Sequence, residues 1–233
     1  MRMRSWTDSL PAPRFPHVTE TLATLREVVL MPRDIRPIVP NVRAGEDVVV
    51  LIHGFMASAG VFRPMRRRLE KEAFAHVASF THAPLASVPR IAKSLARVID
   101  RIGDGARIHI VGHSLGGLVA RWYVQELGGH AKVVQTISLA SPFQGTKVAD
   151  ALPILIGADL HTKSDVLFRL RARAHEFAVP HTSIVAEEDT VVVPHHNAVF
   201  PSGDVVMLPG RGHNTLLYDD TSLRTIIDRV RTR

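Results

Sequence analysis

The segment Gly112-His113-Ser114-Leu115-Gly116, with Gly117 after it, lies between a β-branched run and a helical pattern. A serine with glycine two residues before and two after suits a very sharp strand-to-helix turn. On such a turn the central residue takes a strained backbone conformation. Its neighbours at −2 and +2 must be nearly free of side chain so that strand and helix can approach. The spacing predicts a strand over 107–111 and a helix over 115–127, with Ser114 Oγ clear above the strand end. The positive end of that helix dipole points at the same place.

The rest of the chain supplies a sheet for this turn. β-branched or apolar runs at 48–52, 76–80, 132–139, 181–186 and 204–208 read as further strands. Helical patterns at 60–72, 89–102 and 220–231 alternate with them. Strands alternating with helices predict a mostly parallel central sheet with helices on both faces. Two stretches break the rhythm. Residues 1–47 hold Pro11, Pro13, Pro16, Pro32, Pro37 and Pro40 and one helical stretch near 17–30; they read as an N-terminal extension, with room for an edge strand. Residues 143–180 are too long for a plain crossover and read as a small helical cap insertion. The core is then 48–142 with 181–233.

Composition narrows the chemistry. The chain has 233 residues and no cysteine, so disulfides, thiolate zinc sites, iron–sulfur clusters and a cysteine nucleophile are excluded. The net charge is +7, but arginine is spread along the chain and only 6% of residues are aromatic, unlike a nucleic-acid stripe. Residues 1–20 carry Arg2, Arg4 and Arg14 without an apolar core, so the reading is no signal peptide and a cytoplasmic location. Adjacent His195 and His196 in an extended segment point to opposite sides, so no metal is expected there. Arg66-Arg67-Arg68 reads as a solvated helix face.

A serine hydroxyl is a poor nucleophile at neutral pH. Ser114 needs a base, and the base an orienting carboxylate. On a sheet of this kind both follow later strands, in the order serine, acid, histidine. His213, in Gly210-Arg211-Gly212-His213, follows the strand at 204–208. The acid is one of Glu187, Glu188 and Asp189, just after the strand at 181–186. Acyl transfer also needs two backbone N–H groups for the carbonyl oxygen. Leu115 offers one, and Phe55, in His53-Gly54-Phe55-Met56 at the end of the first strand, offers the other.

Together, Leu51-Ile52-His53-Gly54-Phe55, Gly112-His113-Ser114-Leu115-Gly116-Gly117, Asp189-Thr190-Val191-Val192 and Gly212-His213 resemble the α/β-hydrolase superfamily, and within it bacterial triacylglycerol lipases and esterases. The segment Gly212-His213-Asn214-Thr215-Leu216-Leu217-Tyr218 is similar to the histidine segment of small Bacillus-type lipases. The likeness covers roughly 46–232 and leaves 1–45 outside. It implies an α/β-hydrolase fold, a triad of Ser114, Asp189 and His213, and oxyanion donors at Phe55 and Leu115. It implies no cofactor. Larger lipases of the superfamily place an aspartate for calcium soon after the histidine; Asn214-Thr215 stand here, so no calcium is expected by that route.

The insertion is apolar from Val148 to Leu160, and Leu152, Leu155 and Ile156 are its candidate substrate-binding residues. Val166, Leu167, Phe168, Leu170 and Phe177 follow, mixed with Arg169, Arg171 and Arg173. A greasy, partly basic cover suits an acyl chain and peripheral contact with a lipid surface, though it equally suits plain packing on the core. The expected activity is hydrolysis of small-molecule, lipid-like carboxylic esters, with no nucleic-acid partner. The alternatives are a thioesterase, amidase or acyltransferase using the same triad, and a silent binding scaffold.

Overall fold

The computed structural model describes residues 15–151 and 158–233. Six strands, β1 (Asp47–Ile52), β2 (His76–Phe80), β3 (Arg107–His113), β4 (Val133–Leu139), β5 (His181–Ala186) and β6 (Asp204–Leu208), form one sheet in the order β2-β1-β3-β4-β5-β6. Every neighbouring pair is parallel. The helices that lie wholly within the described residues are α1 (Pro16–Leu30), α2 (Arg63–Arg68), α3 (Val88–Ile102), α4 (Leu115–Glu126), α5 (Asp165–Ala172) and α6 (Asp220–Arg231). This is the α/β-hydrolase fold expected from the sequence.

The strands form because their β-branched side chains find apolar partners on both faces. Val48, Val50, Ile52, Ile108 and Ile110 pack with α3 and α4. Their neighbours Val49, Leu51 and Val111, with Ile137 and Leu139, pack with α2 and α6 on the opposite face. The alternation is the two-residue period of a strand, with both sides covered. Helix α3 buries Val88, Ile91, Ala92, Leu95, Val98, Ile99 and Ile102 as one face, with a proline in its first turn, and Gly103 at φ 95° ends it. Helix α6 starts where the Asp219 carboxylate accepts the Thr221 and Ser222 N–H groups.

Three details depart from the sequence reading. The single helix expected over 60–72 is a 3-10 turn (Ala59–Phe62), then α2, then a wider π turn (Leu69–Ala73) that stops at Phe74, φ 54°. Pro64 has no N–H and fits only a first helical turn, so α2 restarts there. The arginine run is not simply solvated: Arg66 and Arg63 bind Asp34 at 3.2 and 2.8 Å, and Arg68 binds Glu72 and Asp220. The Arg63 and Arg66 guanidiniums hold the Asp34 carboxyl below its usual range. The N-terminal edge strand reduces to one antiparallel bridge, Ile38 with Ser79 of β2, because Pro37 and Pro40 flank it and cannot donate.

The strand order places the site. From β1 the chain moves outward to β2, then returns across β1 to β3 and continues the other way. The crevice beyond the C-terminal ends of β1 and β3 is therefore the topological switch point, where parallel sheets of this kind take ligands. His53-Gly54-Phe55 leaves β1 there, and Ser114 leaves β3 there.

Candidate active site

Ser114 stands between β3 and α4 with φ 53° and ψ −119°, a conformation that costs a non-glycine residue about 1–3 kcal/mol. Its surroundings hold it there. Its N–H donates to the Leu139 carbonyl at 2.8 Å, and its own carbonyl accepts from Gly117 N–H at 3.1 Å. A Cβ on Gly112 would overlap the Gly116 backbone, and one on Gly116 would overlap the Ile52 carbonyl. Gly116→Ala is expected to cost about 3 kcal/mol, since backbone cannot yield as a side chain does. For a chain this long that is about 6–12 °C in Tm by thermal unfolding; an unchanged Tm would show that β1 and α4 separate freely there.

His213 follows β6, and Asp189 follows β5. The His213 Nδ1–H donates to Asp189 Oδ2 at 2.8 Å, and both side chains are buried. Asp189 Oδ1 accepts the Val191 and Val192 N–H groups, each at 2.8 Å, which holds Oδ2 toward the histidine. Glu187 and Glu188 are exposed, and their backbone N–H groups bind Leu208 and Arg211 carbonyls. Of the three consecutive carboxylates, the structure brings Asp189 to the histidine. Burial disfavours the His213 imidazolium, but the Asp189 charge and hydrogen bond, with Glu20 and Glu27 behind them, outweigh it and raise the His213 pKa above 6.5.

The residue before Ser114 also belongs to the site. The His113 ring lies 4.8 Å from the His213 ring, and its Nε2–H donates to the His213 carbonyl at 3.2 Å. Full burial pushes the His113 pKa down to about 3, so it stays neutral and props the loop without charge.

On the β1 side, Gly54 lies against Ser114: a Cβ there would sit 3.0 Å from Ser114 Cβ. The His82 N–H donates to His53 Nε2 at 3.1 Å, which fixes the His53 proton on Nδ1. That Nδ1–H donates to the Gly54 carbonyl at 2.8 Å. The peptide is planar and trans, so anchoring the Gly54 carbonyl sets the direction of the Phe55 N–H. The two rings stack at 3.8 Å, and burial with His82 nearby takes the His53 pKa to about 3. Phe55 is half-buried against the core, and Leu115 opens α4 beside Ser114. The His53 role is invisible in the sequence, because its partner His82 lies 29 residues away.

The insertion is described in part. Leu152, Leu155 and Ile156 lie outside the described residues. Val166, Leu167 and Leu170 of α5 point into the core beside α4, so their apolar pattern reflects packing. Arg169 and Arg173 bind Glu126 of α4. The Thr146 hydroxyl donates to the Val191 carbonyl at 2.6 Å, tying the start of the insertion to the Asp189 loop. His195 and His196 stand in a 3-10 turn rather than an extended segment, with rings 6.0 Å apart at 80°. Among the described residues no group of three or more His, Asp or Glu side chains is placed to hold a metal. Among them also, no helix is long and apolar enough to cross a membrane.

A family model described as a domain of unknown function, DUF7379, matches residues 26–170. The chain belongs to this family. The match takes in β1 to β4, the His53-Gly54-Phe55 turn and the Ser114 turn, and stops before Asp189 and His213. No curated protein sequence matches the chain. Solved structures do. The mature Bacillus licheniformis lipase BlEst2 superposes with a TM-score of 0.70 at 13% identity, covering 84% of this chain and 97% of that one. The Paleococcus ferrophilus monoacylglycerol lipase gives 0.65 at 16% identity, with 84% and 97% covered. Est1E from Butyrivibrio proteoclasticus, with ferulic acid bound, gives 0.60 at 15% identity, with 84% and 92% covered. At such identities the likeness is one of fold: this DUF7379 chain has the α/β-hydrolase architecture.

Proposed function

We propose that the protein is a serine hydrolase of lipid-like carboxylic esters. The observation that carries this reading is the buried His213–Asp189 bond at 2.8 Å, on loops beside the strained Ser114 turn. Ser114 Oγ attacks the ester carbonyl as His213 Nε2 takes its proton, and Asp189 stabilises the imidazolium. The Phe55 and Leu115 N–H groups receive the developing oxyanion. His213 then returns the proton to the leaving alcohol, and water, deprotonated by the same imidazole, releases the acid. Two of the structural neighbours are named lipases, which favours an ester over an amide. Residues 143–180 as a cap over the cleft belong to this reading.

A fluorophosphonate probe should label the purified protein at Ser114, and a p-nitrophenyl ester series with emulsified triglyceride should be hydrolysed. Labelling without ester turnover would move the assignment to a thioesterase, amidase or acyltransferase. No labelling would leave a binding scaffold. The base must be neutral to accept a proton, and the His213 pKa is raised, so activity is lost as pH falls through that raised value. The acid limb of kcat/KM should therefore have its midpoint above 6.5, the ordinary histidine value. A midpoint below it would show that the carboxylates around His213 do not set its charge.

A further inference from the structure

We propose that Glu20, on the N-terminal helix α1 outside the hydrolase core, is a positioning residue for His213. The inference rests on the ester-hydrolase reading above, because it assigns His213 as the base. Glu20 lies 193 positions ahead of His213 in the chain, yet its carboxylate holds the two residues after the histidine and lies against the glycine before it. Its Oε1 accepts the Asn214 N–H at 2.8 Å. Its Oε2 accepts the Thr215 N–H at 2.9 Å and the Thr215 hydroxyl at 2.7 Å. These donors open the short 3-10 turn Thr215–Leu217, whose first N–H groups have no partner within the turn. On the other side of His213, a Cβ at Gly212 would collide with the same carboxylate. The glycine before the histidine is thus the space that Glu20 occupies. A second tie from α1 supports the clamp, as the Asn214 side-chain amide donates to Thr24 Oγ1 at 3.1 Å.

Three hydrogen bonds to one carboxylate, two of them from backbone, fix a loop better than apolar contact, since bonds to an ionised acceptor are shorter and more directional. The loop needs such a fixture. It carries Gly210 and Gly212 just ahead of the histidine, whose ring must keep reach in two directions at once. The charge acts as well as the geometry. The charged and titratable groups facing the imidazole are Asp189 from the β5 loop, His113 from β3, and Glu20 and Glu27 from α1; Arg211 on the same loop pairs with Asp219. Glu20 adds to the field that favours the imidazolium.

Glu20→Gln separates these effects from mere support of the fold. An amide keeps the length but presents N–H toward donors on one side, so the loop loosens and the charge is gone. On p-nitrophenyl acetate, kcat should fall roughly tenfold with KM within about twofold, because a small misplacement of the base costs rate more than binding. The acid limb of the pH profile should move to lower pH, since the imidazolium loses one stabilising charge. Glu20→Asp keeps the charge but falls one methylene short, so its kcat should fall while its acid limb stays near that of the wild type. A kcat for Glu20→Gln within about twofold of wild type, or a loss of kcat with an unmoved acid limb, overturns the proposal. Should Glu20→Gln fail to fold, an undiminished kcat for Glu20→Asp overturns it equally. A wild-type protein that the fluorophosphonate probe does not label removes the ester-hydrolase reading and the proposal with it; a labelled wild type whose Glu20 variants match it removes the proposal alone.

Discussion

Replacing Ser114 with alanine should lower ester hydrolysis by roughly 10³-fold or more while Tm changes little. The size follows from what remains. Without the hydroxyl no acyl-enzyme forms, and only binding and oxyanion stabilisation still help a water attack. The small change in stability follows from how the turn is held. Backbone bonds from Ser114 N–H to Leu139 and from Gly117 N–H to Ser114 do not involve the hydroxyl, and alanine suffers φ 53° no more than serine. The measurement is kcat/KM on a short p-nitrophenyl ester beside a thermal unfolding curve. Retention of more than a few per cent of the activity would show that the nucleophile lies elsewhere.

How much of this was legible in the sequence depended on the range over which the residues act. The Ser114 turn was readable because its signal is local: Gly112 and Gly116 are needed within two residues of the serine, and a Cβ on Gly112 would meet the backbone of Gly116 and Gly117. The strand at 181–186 was readable as a short run buried on both faces, and the edge strand at 204–208 as a short apolar run that Pro209-Gly210 ends. The acid was ambiguous because three carboxylates follow β5 in a row, and which one turns inward depends on the turn that Asp189 makes with Val191 and Val192. The insertion was open to two readings for the opposite reason. Apolar spacing at Val166, Leu167 and Leu170 reports that one helix face is covered, but not whether core or substrate covers it. Glu20, His82 and the Ile38 bridge were out of reach, since each works through a partner that only the folded chain brings near.

Asp189→Asn should also be severely damaging, about 10⁴-fold in kcat, with little loss of stability. The structure separates the roles of the two carboxylate oxygens. Oδ1 accepts from Val191 and Val192, and an asparagine oxygen takes both bonds unchanged, so the loop keeps its shape. Oδ2 accepts from His213 Nδ1–H, and the asparagine amide in that place is a donor. Two donors cannot face each other, so the imidazole shifts its proton to Nε2, the nitrogen that must be bare to take the proton of Ser114. The amide also carries no charge to stabilise the imidazolium once formed, which removes the main cause of the raised His213 pKa. The comparison that decides the matter is Glu188→Gln. Glu188 is exposed and engages the histidine loop only through its backbone N–H to Arg211, so its variant should keep nearly full activity. A large loss in Glu188→Gln with a small one in Asp189→Asn would place the acid one residue earlier and show that the loop after β5 turns differently when substrate is bound.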